Sequence, residues 1–301
     1  MGLFNFFKHT SLIPLETVIA ADKGDVKAKQ ELSYAFDHGL TSDEHNRLRK
    51  MAYSPLAAKG DANAQYWMGF LSLYVDNNTQ QALYWFLESA NRGNTESMRD
   101  LAFGYSEFAN DPEYSISSVN TGFGFDAAKE RFWKLRAAEL GDHQAQADLA
   151  FDFKIEGDIE NAIRMFLYAS ESNECKVLLK AYKGLAEIYG NPSTQNYDIN
   201  RQKEYLVKIL EMKQNNIYDM DAYDEFAYSS AAFDLGYALK KEYEESQNPL
   251  LLRRYVYCFL LSFTHGHQAA KSLIDQSGYM FSGNEIELWQ NHARTLSFYL
   301  P

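Results

Sequence analysis

Three stretches of this chain hold side chains of the kinds that carry out chemistry, and each can be tested against the spacing that chemistry requires. The run YDMDAYDEF (218–226) gathers Tyr218, Asp219, Asp221, Asp224 and Glu225. A calcium loop built from such acids needs a central glycine and a terminal glutamate, and both are missing. General acid–base hydrolysis needs a matched pair of carboxylates, and nothing in the run singles out a pair. The run reads as a solvated helix start, where carboxylates are favoured by the helix dipole, or as an acidic patch for a basic partner. His265 and His267 flank Gly266, but a zinc site needs three or four ligands and no further ligand stands at a recognisable spacing. GFGFDA (122–127) fits the frame G-x-G-x-x-A. A dinucleotide site needs a strand before that frame, and the preceding NDPEYSISSVNT is a polar, turn-rich loop. The nucleophile elbow, the H-E-x-x-H helix and the Walker loop are all absent from the chain. The sequence therefore nominates no catalytic residue, no cofactor-binding residue and no metal ligand. A hydrolase using the acidic cluster stands as the alternative from a different functional class.

Composition narrows the field. The chain has 301 residues, 46% hydrophobic and 23% charged, with only 6 prolines, as suits a helical globular protein. Its 29 Lys and Arg against 41 Asp and Glu give a formal charge of −12. A field of that sign repels phosphate backbones and steers a basic protein toward the surface. Cys175 and Cys258 each sit in an apolar run and read as free thiols in a reducing compartment. The opening MGLFNFFKHTSLIPLE is broken by Lys8 and His9, so it lacks the apolar core of a signal peptide. Gly2 starts a myristoylation-like frame, but Phe6 replaces the required Ser or Thr. No run approaches 18 apolar residues, so a cytoplasmic chain without a membrane span is the expectation.

The elements that must position any functional group emerge when the chain is aligned on glycines 24, 60, 93, 141 and 266. Three residues earlier stand Ala21, Ala57, Ala90, Ala138 and Phe263. Asp25, Asp61, Asn94, Asp142 and His267 follow directly. Four residues later come Ala28, Ala64, Ser97, Ala145 and Ala270, and eight later Leu32, Met68, Leu101, Leu149 and Ile274. Trp85 and Trp133 lie eight residues before the glycine in the two clearest copies. Glycine ends a helix in the left-handed conformation without a Cβ penalty, and Asp or Asn is the preferred N-cap of the next helix. The unit is a tight helical hairpin whose small residues mark the closest approach. Spacings of 36, 33 and 48 between the first four glycines mean stacked hairpins, the last interval holding an insertion at 106–126. The expected fold is all-α, an α-solenoid of about six to seven stacked antiparallel helix pairs in a single domain over 1–301. Clear repeats cover 20–157, degenerate ones 158–275, and a capping helix covers 284–299.

The pattern A-x-x-G-D-x-x-A-x-x-x-L, with W-x-x-x-x-A upstream in NTQQALYWFLESANRGN and AAKERFWKLRAAELGD, resembles the Sel-1-like repeat of the tetratricopeptide-like superfamily. The resemblance is good over 20–157 and weak from 158 onward. The usual Leu-Gly is here Leu101-Ala102 and Leu149-Ala150. It implies a right-handed superhelix that binds proteins or peptides, and it brings no catalytic residue with it. Bacterial members of that family include toxin inhibitors, regulators and virulence adaptors.

Candidate contacts follow from the register. Positions −9, −5 and −2 from the glycine hold Tyr84, Glu88 and Asn91 in one repeat and Phe132, Arg136 and Glu139 in the next. They lie off the core column, on the first helix that lines the concave side in superhelical repeats. Tyr114, Phe123 and Phe125 are the candidate contacts of the insertion, because long loops in solenoids tend to lie on a functional face. The expected function is non-enzymatic binding of another protein with a basic surface, above all as an immunity protein that neutralises a cognate secreted toxin. A generic adaptor or regulator is the alternative. Neither nucleic acid nor membrane is an expected partner.

Overall fold

In AAELGDHQAQADLAFDF the main chain turns at Gly141, whose φ is +84°. Two hydrogen bonds close the turn: Gly141 N–H donates to the Ala138 carbonyl at 3.0 Å and Asp142 N–H to the Ala137 carbonyl at 3.1 Å. This is the Schellman pattern, which satisfies carbonyls that a helix end leaves open. The Asp142 carboxylate then accepts from Ala145 N–H at 2.8 Å and caps the next helix. One residue thus closes one helix and opens another. The same pair of bonds recurs at Gly24, Gly60, Gly93 and Gly266. Asp25, Asp61 and Asn94 cap onto Ala28, Ala64 and Ser97 at 2.8, 2.7 and 2.7 Å. A sixth copy, Gly157-Asp158, has the same turn, and Asp158 caps onto Asn161 N–H at 3.2 Å.

The computed structural model describes residues 13–37, 39–111, 122–214 and 222–277. Among them are fifteen α-helices and no strand. The first pairs are α1 (Leu15–Asp22) with α2 (Val26–Asp37), α3 (Ser42–Ala58) with α4 (Ala62–Tyr74), and α5 (Thr79–Ala90) with α6 (Thr95–Tyr105). The short α7 (Glu107–Asn110) precedes the insertion, and α8 (Ala127–Glu139) is joined through the Gly141 turn to α9 (His143–Glu156). After these come α10 (Ile159–Ala169), α11 (Cys175–Gly190), α12 (Ile199–Gln214), α13 (Ala222–Ser246), α14 (Pro249–Thr264) and α15 (Ala269–Gln276). The segment expected to cap the C-terminal end, 284–299, lies outside the described residues. No helix among the described residues is long and apolar enough to cross a membrane.

The chain divides into two compact units, Met1–Ala145 and Gln146–Pro301. In the first, α4 packs on α3 and α5, and α6 packs on α5 and α8. In the second, α11 packs on α10 and α12, and α13 on α12 and α14. The columns read from the sequence contribute to the core: Ala57, Ala64, Ala90, Ser97 and Leu101 are buried in the first unit, and Leu149 and Ala270 in the second, where Phe263 and Ile274 of the last copy are only partly buried. Where serine replaces alanine, its hydroxyl is satisfied: Ser97 Oγ meets Ser89 Oγ at 2.8 Å, and Ser89 Oγ donates to the Ala62 carbonyl at 2.7 Å. Fully buried phenylalanines fill the glycine positions of neighbouring helices. A Cβ at Gly69 would stand 2.6 Å from the Phe86 ring, and Phe166 and Phe259 cover Gly184 and Gly236 in the same way.

Candidate partner-binding surfaces

On α5 and α8 the positions −9 and −8 from the glycine form a repeated two-ring device. Tyr84 is 52% exposed and meets Trp85 edge-on at 5.0 Å; Phe132 is 57% exposed and meets Trp133 edge-on at 4.9 Å. In each case the tryptophan is turned toward the core and holds the outward ring in place. Adjacent residues on a helix lie about 100° apart, so one of the two rings must face out when the other faces in. A rigid exposed ring with charges one turn away is the kind of anchor that protein interfaces use. One turn along, Glu88 pairs with Arg92 at 2.8 Å and Arg136 with Glu139 at 3.2 Å. Both helices pack against α6, which lies between them in the sequence of contacts.

The insertion is pinned at its two described ends. Asn110 Nδ2 donates to the Gly104 and Ser106 carbonyls at 3.0 and 2.7 Å, and its Oδ1 accepts from Gly124 N–H at 2.8 Å. Phe123 N–H donates to the Gly104 carbonyl at 2.7 Å, and the Phe123 ring lies 5.9 Å from Tyr105 and 6.3 Å from Phe86. A Cβ at Gly104 would overlap that ring. Phe123 is therefore half-buried and holds the returning chain, whereas Phe125 is 60% exposed. Asp126 caps α8 through Lys129 N–H at 3.0 Å, and that bond holds its carboxyl below the usual range. GFGFDA is thus the anchored end of the insertion and the entry to a helix. Tyr114 lies outside the described residues.

Of the acidic run, Tyr218, Asp219 and Asp221 lie outside the described residues. Asp224 and Glu225 fall in the first turn of α13, with side chains outside the description. His265 meets Tyr228 edge-on at 5.0 Å, and His267 stacks on Phe233 at 4.2 Å. Among the described residues no group of three His, Cys, Asp or Glu is placed to hold a metal ion. The Cys258 thiol is buried, which pushes its pKa up to about 12 and leaves it unreactive.

A second surface went unread in the sequence. Ten residues after the hairpin glycines stand Tyr34, Phe70, Phe103 and Phe151, and seven after them Glu31, Trp67, Asp100 and Asp148. These positions share one face of the second helices. In the first unit Phe70 lies 4.7 Å from Tyr74 and 5.5 Å from Trp67, while Tyr74 is 43% and Phe103 51% exposed. Burial raises the Asp100 carboxyl to about 6, Arg99 opposing the shift and Glu96 adding to it. In the second unit the matching residues are used internally: Asp148 pairs with Lys180 at 3.2 Å, and Phe151 packs edge-on against Phe166 at 5.0 Å.

No family model matches the chain, and no curated protein matches it. Among solved structures it is similar to a Sel1 repeat protein from Oxalobacter formigenes, with 18% identity and a TM-score of 0.52. The match covers 93% of this chain and 96% of that one. With the hairpin geometry above, the likeness shows the fold: a solenoid of stacked helix pairs like that Sel1 repeat protein's.

Proposed function

We propose that this chain is a protein-binding solenoid with no catalytic role, and that it neutralises a secreted toxin by covering the toxin's active surface. The observation that carries the binding reading is the repeated display of Tyr84 and Phe132, each braced by a tryptophan and flanked by charge. Rings preorganised in this way lose little conformational entropy on docking. The formal charge of −12 favours a partner with a basic surface. Phe125, held at the anchored end of the insertion, extends the same set, and Tyr114, Tyr218, Asp219, Asp221, Asp224 and Glu225 complete it. The inhibitor reading goes further and draws on the toxin inhibitors found among bacterial Sel-1-like repeat proteins.

Co-expression tests it. A toxin encoded beside this chain is expected to arrest growth when produced alone and to be harmless when this chain is present. A neighbouring product that is harmless on its own removes the immunity reading. A captured partner with no toxicity makes the chain an adaptor or regulator.

A further inference from the structure

Arg254 is a cation on the inward face of a helix that no described acid pairs. On α14 it stands between Leu251, one turn before, and Cys258, one turn after, and both of these are buried. Residues at those spacings share a helix face, and Arg254 itself is half-buried, whereas Arg253 beside it is exposed. Arg254 forms no hydrogen bond or ion pair with any described residue. It lines a cavity of about 500 Å³ within the second unit, between α12, α13 and α14. The floor of the cavity is apolar: Val207 comes from α12, Leu235 and Leu239 from α13, and Leu251 from α14. Clefts of this volume with an apolar lining and few polar groups are the usual sites of small molecules. The other cations of the lining are engaged, Lys203 with Glu242 at 2.8 Å and Lys208 with Glu204 at 2.8 Å. Arg254 marks one end of the floor. The Tyr243 and Tyr255 rings, 5.6 Å apart, set the start of α14 beside the end of α13, and the Lys203–Glu242 pair brings the start of α12 to the same end. From Glu242 at that end, the floor runs about 10 Å along α13 to Leu235. Glu211, the remaining acid of the lining, is exposed and lies roughly two turns along α12 from Lys203, toward the far end.

We infer that this cavity is a binding site for a medium-chain aliphatic carboxylate, its head on Arg254 and its hydrocarbon chain along Val207, Leu235, Leu239 and Leu251. Charge and shape select that ligand together. One free cation at the end of an apolar floor matches one anionic head, and a planar guanidinium takes a carboxylate through two hydrogen bonds. Each methylene buried on the floor strengthens binding by about fourfold. A neutral apolar molecule would leave Arg254 half-buried and unmet, and a small anion would leave the floor wet. The site is independent of the protein-binding reading, since Tyr84 and Phe132 belong to the first unit.

The test is an NMR titration of the full chain with octanoate, butyrate and octanol, each observed as the ligand. Octanoate is expected to bind saturably. Butyrate should bind at least about tenfold more weakly, because it lacks most of the chain, and octanol at least about fivefold more weakly, because it leaves Arg254 unmet. Arg254→Gln should weaken octanoate by about tenfold or more and change octanol by less than about twofold. Arg253→Gln removes the same charge one residue away and should change octanoate by less than about twofold. No saturable binding of octanoate by the unaltered chain would overturn the site. Equal weakening by Arg254→Gln and Arg253→Gln would mean general charge attraction, and octanol binding as tightly as octanoate would mean a plain apolar cleft; either result overturns the assignment. Should Arg254→Gln fail to fold, the comparison of the three ligands on the unaltered chain decides alone.

Discussion

Asp100 and Asp142 are both aspartates on the surface of one helical unit, yet they act in opposite ways. Asp142 contributes to folding: it caps Ala145 and contacts Arg99. Asp142→Ala should lower stability by about 1–2 kcal/mol in urea unfolding without altering partner affinity. Asp100 opposes folding when ionised. Its folded pKa of about 6 lies above the ordinary 3.8, so the folded state binds the extra proton and stability falls as pH rises from about 4 to 6. Asp100→Asn should therefore stabilise the protein by about 1–2 kcal/mol near pH 7, with the gain shrinking toward zero as pH approaches 4. Urea titrations at several pH values read this directly. A variant less stable than the parent at neutral pH would show that Asp100 has a partner after all. The cap was legible in the sequence because its partners lie within four residues. The cost at Asp100 was not, since it arises from burial in the folded unit.

Helices and their joints were legible to the extent that their determinants are local. A glycine at positive φ at the turn is a short code that marked five of the six hairpin turns of this kind, four of them followed by a capping Asp or Asn and the fifth by His267, which makes no side-chain cap. Gly157-Asp158 escaped because Lys154 stands where four of the other five copies carry alanine and Asn161 where all five carry alanine or serine, although the turn is the same. Tyr84 and Phe132 were separable from Trp85 and Trp133 by register alone. Phe123 was not, because its ring lands on Gly104 through a return of the chain that no local pattern encodes. The same tertiary fit governs Gly69, where the Phe86 ring occupies the place of a side chain. Gly69→Ala should cost about 1–3 kcal/mol in thermal or urea unfolding, since α4 and α5 must shift apart to admit a methyl group. A surface glycine-to-alanine change in a helix would raise stability instead, so the sign of the effect tests the packing.

Across the whole molecule, the formal charge of −12 and the repeated exposed rings both suit the proposed engagement of a basic protein. An acidic binder engaging a basic partner should associate faster at low salt, with the on-rate falling steeply and the off-rate changing little as salt rises. Ring truncation should do the reverse, because desolvated aromatic anchors govern dissociation more than encounter. The most direct measurement is surface-plasmon or interferometric binding of the natural partner to the parent chain and to the double variant Tyr84→Ala, Phe132→Ala. The predicted result is a parent-like on-rate with dissociation faster by about tenfold or more, in a variant that unfolds like the parent. Unchanged dissociation would contradict the claim that these first-helix rings are where the solenoid grips its partner.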